Sequence, residues 1–230
     1  MDINKKRDEV MERLKNFQAL QEYRNMDFPK NLLNVCKNNL QFYFAYFNSV
    51  ICNKNDYRPK LDTVLVTYII NYLSSVKSYI NRKKRSIEGK KVPGIYKNSM
   101  LSIIEKYWTK RGQKVTKIDI LIEIRDKFEH ECIEGISIRT EYNQDSIFKT
   151  VMIGEANINA LFVDAYKELE LMNEEIEKYL KVEMDKINLR DCILFMNAFN
   201  RFYNKQVYSL LFPEETEEEI EAYDNLLKEL

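Results

Sequence analysis

Residues 59–85 read PKLDTVLVTYIINYLSSVKSYINRKKR, and this stretch decides the fold. Leu61, Val64, Leu65, Tyr68, Ile69, Tyr72, Leu73, Val76 and Ile80 recur at helical spacing, so one broad face is apolar over more than five turns. Pro59 suits the first turn of such a helix. The preceding stretch, 30–53, carries a second thick apolar face through Leu33, Cys36, Leu40, Tyr43 and Phe47, and an antiparallel pairing of the two helices follows. Outward from this pair the pattern stays helical. Residues 2–24 read as a polar helix with one narrow stripe at Val10, Leu14, Phe17 and Leu20, ended by Phe28-Pro29. Further helices are expected at about 98–110, 115–133, 158–182 and 188–211, with a last acidic one after Pro213. Between the helices expected at 115–133 and 158–182, residues 136–142 and 147–153 alternate with a period of two around Asn143-Gln144-Asp145-Ser146, which predicts a β-hairpin over about 136–153.

Composition agrees with a mainly α class. Five Gly and four Pro in 230 residues leave long uninterrupted segments, and 45% hydrophobic content with 12% aromatics supplies a sizeable core. No internal repeat or low-complexity linker interrupts the chain, so one domain over 1–230 is expected, with a bundle core over about 30–182 and a C-terminal helical extension over 183–230. The four cysteines, Cys36, Cys52, Cys132 and Cys192, are far apart and read as core residues. A single histidine excludes a zinc site built on imidazoles; a carboxylate site for magnesium stays open, but no metal or other cofactor is expected. No apolar run reaches membrane-spanning length and the N-terminus has no secretory apolar region, so a cytoplasmic setting without a membrane partner is expected. P-loop, Rossmann and serine-hydrolase signatures are absent.

The chemically pointed residues lie in the expected helix 115–133. His130, the one histidine of the chain, stands five residues after Arg125 in the stretch Arg125-Asp126-Lys127-Phe128-Glu129-His130. At about 100° per residue, Ile118, Leu121, Ile122, Phe128 and Cys132 form an apolar arc that contains Arg125 and Glu129, while Asp126 and His130 share its edge. An arginine within an apolar stripe has two readings. It is the buried half of an i, i+4 pair with Glu129, or it faces a cleft where it meets phosphate.

The Arg-(four residues)-His spacing with a polar residue straight after the arginine resembles the signature of the HEPN superfamily. That resemblance covers about residues 30–182 and implies a HEPN-like helical bundle acting as a metal-independent endoribonuclease, in which two motifs face each other across a homodimer groove. Microbial defence effectors and toxins, often restrained by a regulatory protein or antitoxin, are a common setting for the family. The residue types suit the chemistry. Histidine moves protons near neutral pH, as 2′-OH attack on the adjacent phosphorus and departure of the 5′-oxygen require, leaving a cyclic phosphate. Arginine offers a charged planar fork to phosphoryl oxygens. Asp126 is expected to orient His130 or Arg125, and the neighbouring acids to favour the imidazolium. The catalytic candidates are therefore Arg125, Asp126 and His130.

Charge is balanced overall, 36 basic against 36 acidic residues, but unevenly placed. From Lys77 to Lys117 thirteen Lys or Arg stand against Glu88 and Glu105. Arg82, Lys83, Lys84, Arg85, Lys90 and Lys91 are the candidate contacts to RNA phosphates, with Tyr79, Tyr96, Tyr107 and Trp108 available to stack on bases. A solvated helix end is the plain alternative. Residues 214–229 hold eight acids and one Lys, an exposed helix or a cover for a basic groove. Two rivals to catalysis remain: a silent helical module that binds a protein or nucleotide partner, and an RNA-binding dimer that does not cut.

Overall fold

Asp62 opens the central helix. Its carboxylate accepts the Leu65 backbone N–H at 2.7 Å and the Tyr46 hydroxyl at 2.7 Å, so one side chain caps a helix and ties it to its predecessor. The computed structural model describes residues 3–52, 61–89, 92–108, 116–130, 135–143 and 146–203, and Asn225. The chain is mainly α with a small three-stranded antiparallel sheet. The expected positions at Pro59, Cys132 and the acidic helix after Pro213 lie outside the described residues. The chain divides into two compact units, residues 26–176 and residues 1–25 with 177–230, where the sequence suggested one domain with attachments.

In the larger unit, α2 (Asp27–Tyr46) continues into a π-helical turn (Phe47–Cys52), and α3 (Thr63–Glu88) follows. Phe28-Pro29 does not break a helix; it sits in the first turn of α2, where proline lacks only an N–H that has no helical partner. Contacts run in opposite order along α2 and α3, from Asn39 Nδ2 on the Asn71 carbonyl (3.3 Å), through the Phe42–Tyr68 ring stack, to Tyr46 on Asp62, so the pair is antiparallel as its stripes predicted. Leu65, Ile69, Leu73, Val76 and Ile80 are buried, each contributing on the order of 1.5–3 kcal/mol by leaving water. The aromatic centre is Tyr43, Tyr72 and Phe162, with both tyrosines edge-on or tilted to Phe162 at 5.0 and 4.5 Å. Their hydroxyls are satisfied: Tyr43 donates to Asn159 Oδ1 at 2.8 Å and Tyr72 to the Phe162 carbonyl at 2.9 Å.

Helix α4 (Gly94–Tyr107) starts and ends a few residues earlier than its periodicity suggested, and α5 (Lys117–His130) carries the arginine–histidine stretch. Thr116 and Asp119 cap α5 reciprocally: Asp119 N–H donates to Thr116 Oγ1 at 3.1 Å, and Thr116 N–H to Asp119 Oδ2 at 3.2 Å. The Ile118 N–H donates to Glu168 Oε2 at 3.1 Å, placing a negative charge at the positive end of the helix dipole. The hairpin comprises β1 (Ile136–Asn143) and β2 (Ser146–Ile153), extended by β3 (Ala156–Asn157), with Ile136 opposite Ile153 and Asn143 opposite Ser146. Its base closes through Gly154 N–H on the Gly135 carbonyl at 3.2 Å, with φ of 100° at Gly135 and 57° at Gly154, a backbone region open to glycine. Val151 is buried, and the largely buried Lys149 donates to the Ile51 carbonyl of the π-helical turn at 2.8 Å.

Helix α6 (Ile158–Asp185) belongs to the larger unit up to Ile176 and to the smaller one after it. The smaller unit adds α1 (Ile3–Arg24) and α7 (Leu189–Tyr203). Leu20, Tyr23, Leu180, Met184, Cys192 and Phe195 are buried, Arg24 pairs with Glu177 at 3.2 Å, and the Arg7 guanidinium lies 5.5 Å from the Phe199 ring. Asn188, at φ 47°, turns the chain between α6 and α7.

Candidate functional site

The apolar arc of α5 folds inward as its spacing requires: Ile118, Leu121 and Ile122 are buried. Arg125 goes with them, its side chain only 20% exposed. One guanidinium nitrogen reaches Asp126 Oδ1 at 3.1 Å and the other pairs with Glu129 one turn on. The Arg125 Nε is buried and has no hydrogen-bond partner among the described residues. Asp126 is also held by Lys77, which reaches it from α3 and closes a cluster of two cations and two carboxylates. Burial alone raises the Asp126 carboxyl, but the hydrogen bonds and charges of Lys77 and Arg125 outweigh it and hold the group below its ordinary range.

Sequence reasoning thus brings Arg125, Asp126 and Glu129 together correctly, and it placed Asp126 beside Arg125 as one of two expected partners. It counted Lys77 among the basic residues but gave it no role. His130 is the last residue of α5, 140° around the axis from Arg125 and 40° from Asp126; its side chain is not among those described. Chemically, Arg125 has donors for a phosphoryl group, but two nitrogens now serve carboxylates of its own helix. An entering phosphate competes with Glu129 and Asp126 for them.

The basic block proves heterogeneous. Arg82 and Arg85 are exposed, and Lys84 extends over the Trp108 ring at 5.8 Å and towards Glu88 at 3.8 Å. Lys83 corrects the expectation of a phosphate contact. It is 4% exposed and donates to Asn173 Oδ1 at 3.0 Å, an acceptor it shares with the Tyr79 hydroxyl, because its position on α3 faces the core rather than solvent. Lys90 and Lys91 lie outside the described residues. The stacking candidates divide in the same way. Tyr79 and Tyr96 are buried, and Tyr107 donates to Glu175 at 2.6 Å, with burial first and then that carboxylate pushing its hydroxyl up to about 12. Trp108, half-buried beneath Lys84, is the ring still open to a base.

An open groove of about 580 Å³ lies on the other side of α5, between Ile120, Ile124 and Phe128 and the hairpin base at Ile153 and Gly154. Arg125 and Asp126 do not line it, so it is separate from the ion cluster. No group of three or more potential metal-ligating side chains occurs among the described residues, nor is any described helix long and apolar enough to cross a membrane. Compared with known protein families, curated proteins and solved structures, the chain finds no match.

Proposed function

We propose that this chain is a HEPN-like endoribonuclease that cleaves RNA without a metal, as a cytoplasmic homodimer pairing one Arg125–His130 motif from each copy. The observation that supports it best is the setting of Arg125: a guanidinium drawn into the apolar face of α5, bracketed by Asp126 and Glu129, with an Nε that has no partner among the described residues and a second cation, Lys77, on the Asp126 carboxylate. Two cations gathered around one carboxylate make a site that an RNA phosphate can enter by displacing that carboxylate. In this reading Arg125 and Lys77 hold the scissile phosphate, His130 transfers the proton and Asp126 positions Arg125 between turnovers. Arg82, Lys84 and Arg85 supply sequence-independent backbone contacts and Trp108 a stacking surface. A role in microbial defence, under the restraint of a regulatory protein, accords with the same reading.

The same ion pairs favour a second reading, a silent helical interaction module in which Arg125 and Glu129 are a structural pair. The two part in one experiment. Purified protein is incubated with a mixed RNA pool in EDTA, beside His130→Ala, and product ends are analysed. Cyclic-phosphate ends that vanish in the variant support the ribonuclease; equal outcomes for both proteins across RNA types support the silent module.

A further inference from the structure

Charge disappears on the outer surface of the α2–α3 pair. In a chain with 31% charged residues, Lys37 is the one charged residue in residues 31–52, and residues 63–76 contain none. The exposed positions there are Asn, Gln, Ser, Thr and apolar residues. Val35 is 44% exposed, Phe42 57% and Val64 47%, and Phe42 lies stacked on Tyr68, which is tilted against Tyr46 at 5.5 Å. Val35 and Phe42 are two turns apart on one side of α2, and Val64 and Asn71 stand in the same relation on α3. Because the helices are antiparallel, these positions join into one continuous apolar and amide-rich seam.

Single exposed apolar residues are ordinary and call for no explanation. A contiguous group whose polar neighbours are neutral except for Asp62 at one end, where its carboxylate accepts the Tyr46 hydroxyl, is different, because loss of charge together with gain of aromatics is the mark of an interface core. The same neutrality indicates what covers it. Across a two-fold axis a patch meets itself, so any net charge opposes its own sign. A face whose only charges are Lys37 and, at one end, the Asp62 carboxylate engaged by Tyr46 meets its copy with little of that penalty, whereas an RNA or a charged peptide finds little here to pair with. Further round α3 the exposed neutral positions continue through Thr67 and Ile70, 36% exposed, and Lys77 stands two turns after Ile70 on the same side, so this neutral surface reaches the Lys77–Asp126–Arg125 cluster.

We propose that the outer α2–α3 face is the interface of a two-fold homodimer of this chain, with the Lys77–Asp126–Arg125 cluster at its border. This deepens the homodimer reading by naming the surface, and its test is independent of cleavage. Sedimentation velocity on the full chain is expected to give about twice the 27.6 kDa of one chain. Phe42→Glu combined with Val64→Glu should raise the dimer dissociation constant about a hundredfold or more, with the helical circular dichroism unchanged. Val35→Lys reads the same face should the double variant fail to fold. Ile95→Glu, at an exposed position on α4, and His130→Ala should both remain dimeric. A monomeric wild type, or a dimer that survives the substitutions on the α2–α3 face, overturns the proposal. A dimer inert towards RNA leaves this interface standing and counts against the ribonuclease alone.

Discussion

Replacing Arg125 by methionine separates its structural from its chemical worth. Methionine keeps most of the apolar stem, which on α5 lies with Leu121 and Ile122, and removes only the guanidinium. The Glu129 carboxylate that pairs with it is 46% exposed, so solvent screens the pair, and a partner of this kind contributes about 0.3–1 kcal/mol. The buried Nε without a partner acts the other way, since an unsatisfied donor of this sort costs about 1–3 kcal/mol and disappears in the variant. Asp126 retains Lys77. The second effect is the larger, and the variant is expected to be between as stable as wild type and about 3 kcal/mol more stable. By contrast, loss of a charged donor that stabilises a phosphoryl transition state reduces turnover by about 10²–10³. Urea unfolding and RNA cleavage, measured together on Arg125→Met, Glu129→Gln and the double variant, read both quantities. A loss of 3 kcal/mol or more in Arg125→Met, with a coupling to Glu129 of the same size, would refute this account and make the arginine a strut.

The Asp126 carboxyl lies below its ordinary value of 3.8 in the folded chain, so its contribution to stability is present above that value and lost as pH falls through the folded one. Asp126→Asn should therefore be less stable than wild type at neutral pH, with the gap closing below about pH 4 in a pH series of urea midpoints. Asp62→Ala removes both the cap of α3 and the acceptor of Tyr46, and should cost about 0.5–2 kcal/mol, read as a lower urea midpoint. Burial pushes the Cys36 thiol up to about 11, while Cys52 is exposed. At pH 8 a thiol reagent should modify Cys52 well before Cys36, and Cys52→Ser should remove one equivalent from the early phase.

Much of the helical framework is legible because burial of one face imposes a period on the chain. Leu65, Ile69, Tyr72 and Val76 announced α3, and alternation over 136–142 and 147–153 announced the hairpin. Boundaries were less legible where a side chain decides them. The start of α3 moves from Pro59 to Asp62 once the carboxylate is seen to accept from Leu65, and α2 begins before Pro29 because the first turn tolerates it. Among the candidate site residues, Arg125 and its acidic neighbours follow from helical spacing alone. Lys77 and Lys83 do not, because a run of basic residues says nothing of which way each one faces. Of that run, Lys83 turns inward to Asn173 and Lys77 reaches across to Asp126, contacts 90 and 49 residues distant in sequence.

The π-helical turn at Phe47–Cys52 has a consequence for the history of this fold. A π turn holds one residue more than the α-helix it interrupts, as a single-residue insertion would leave it. The carbonyl of Ile51 within it is met by Lys149, a lysine that the hairpin keeps largely out of water. Widened turn and hairpin are thus tied to each other by this bond. They should be inherited together: a descendant that sheds the hairpin is expected to lose one residue between 47 and 52 and return to α spacing, and one that keeps it should retain an amine at position 149.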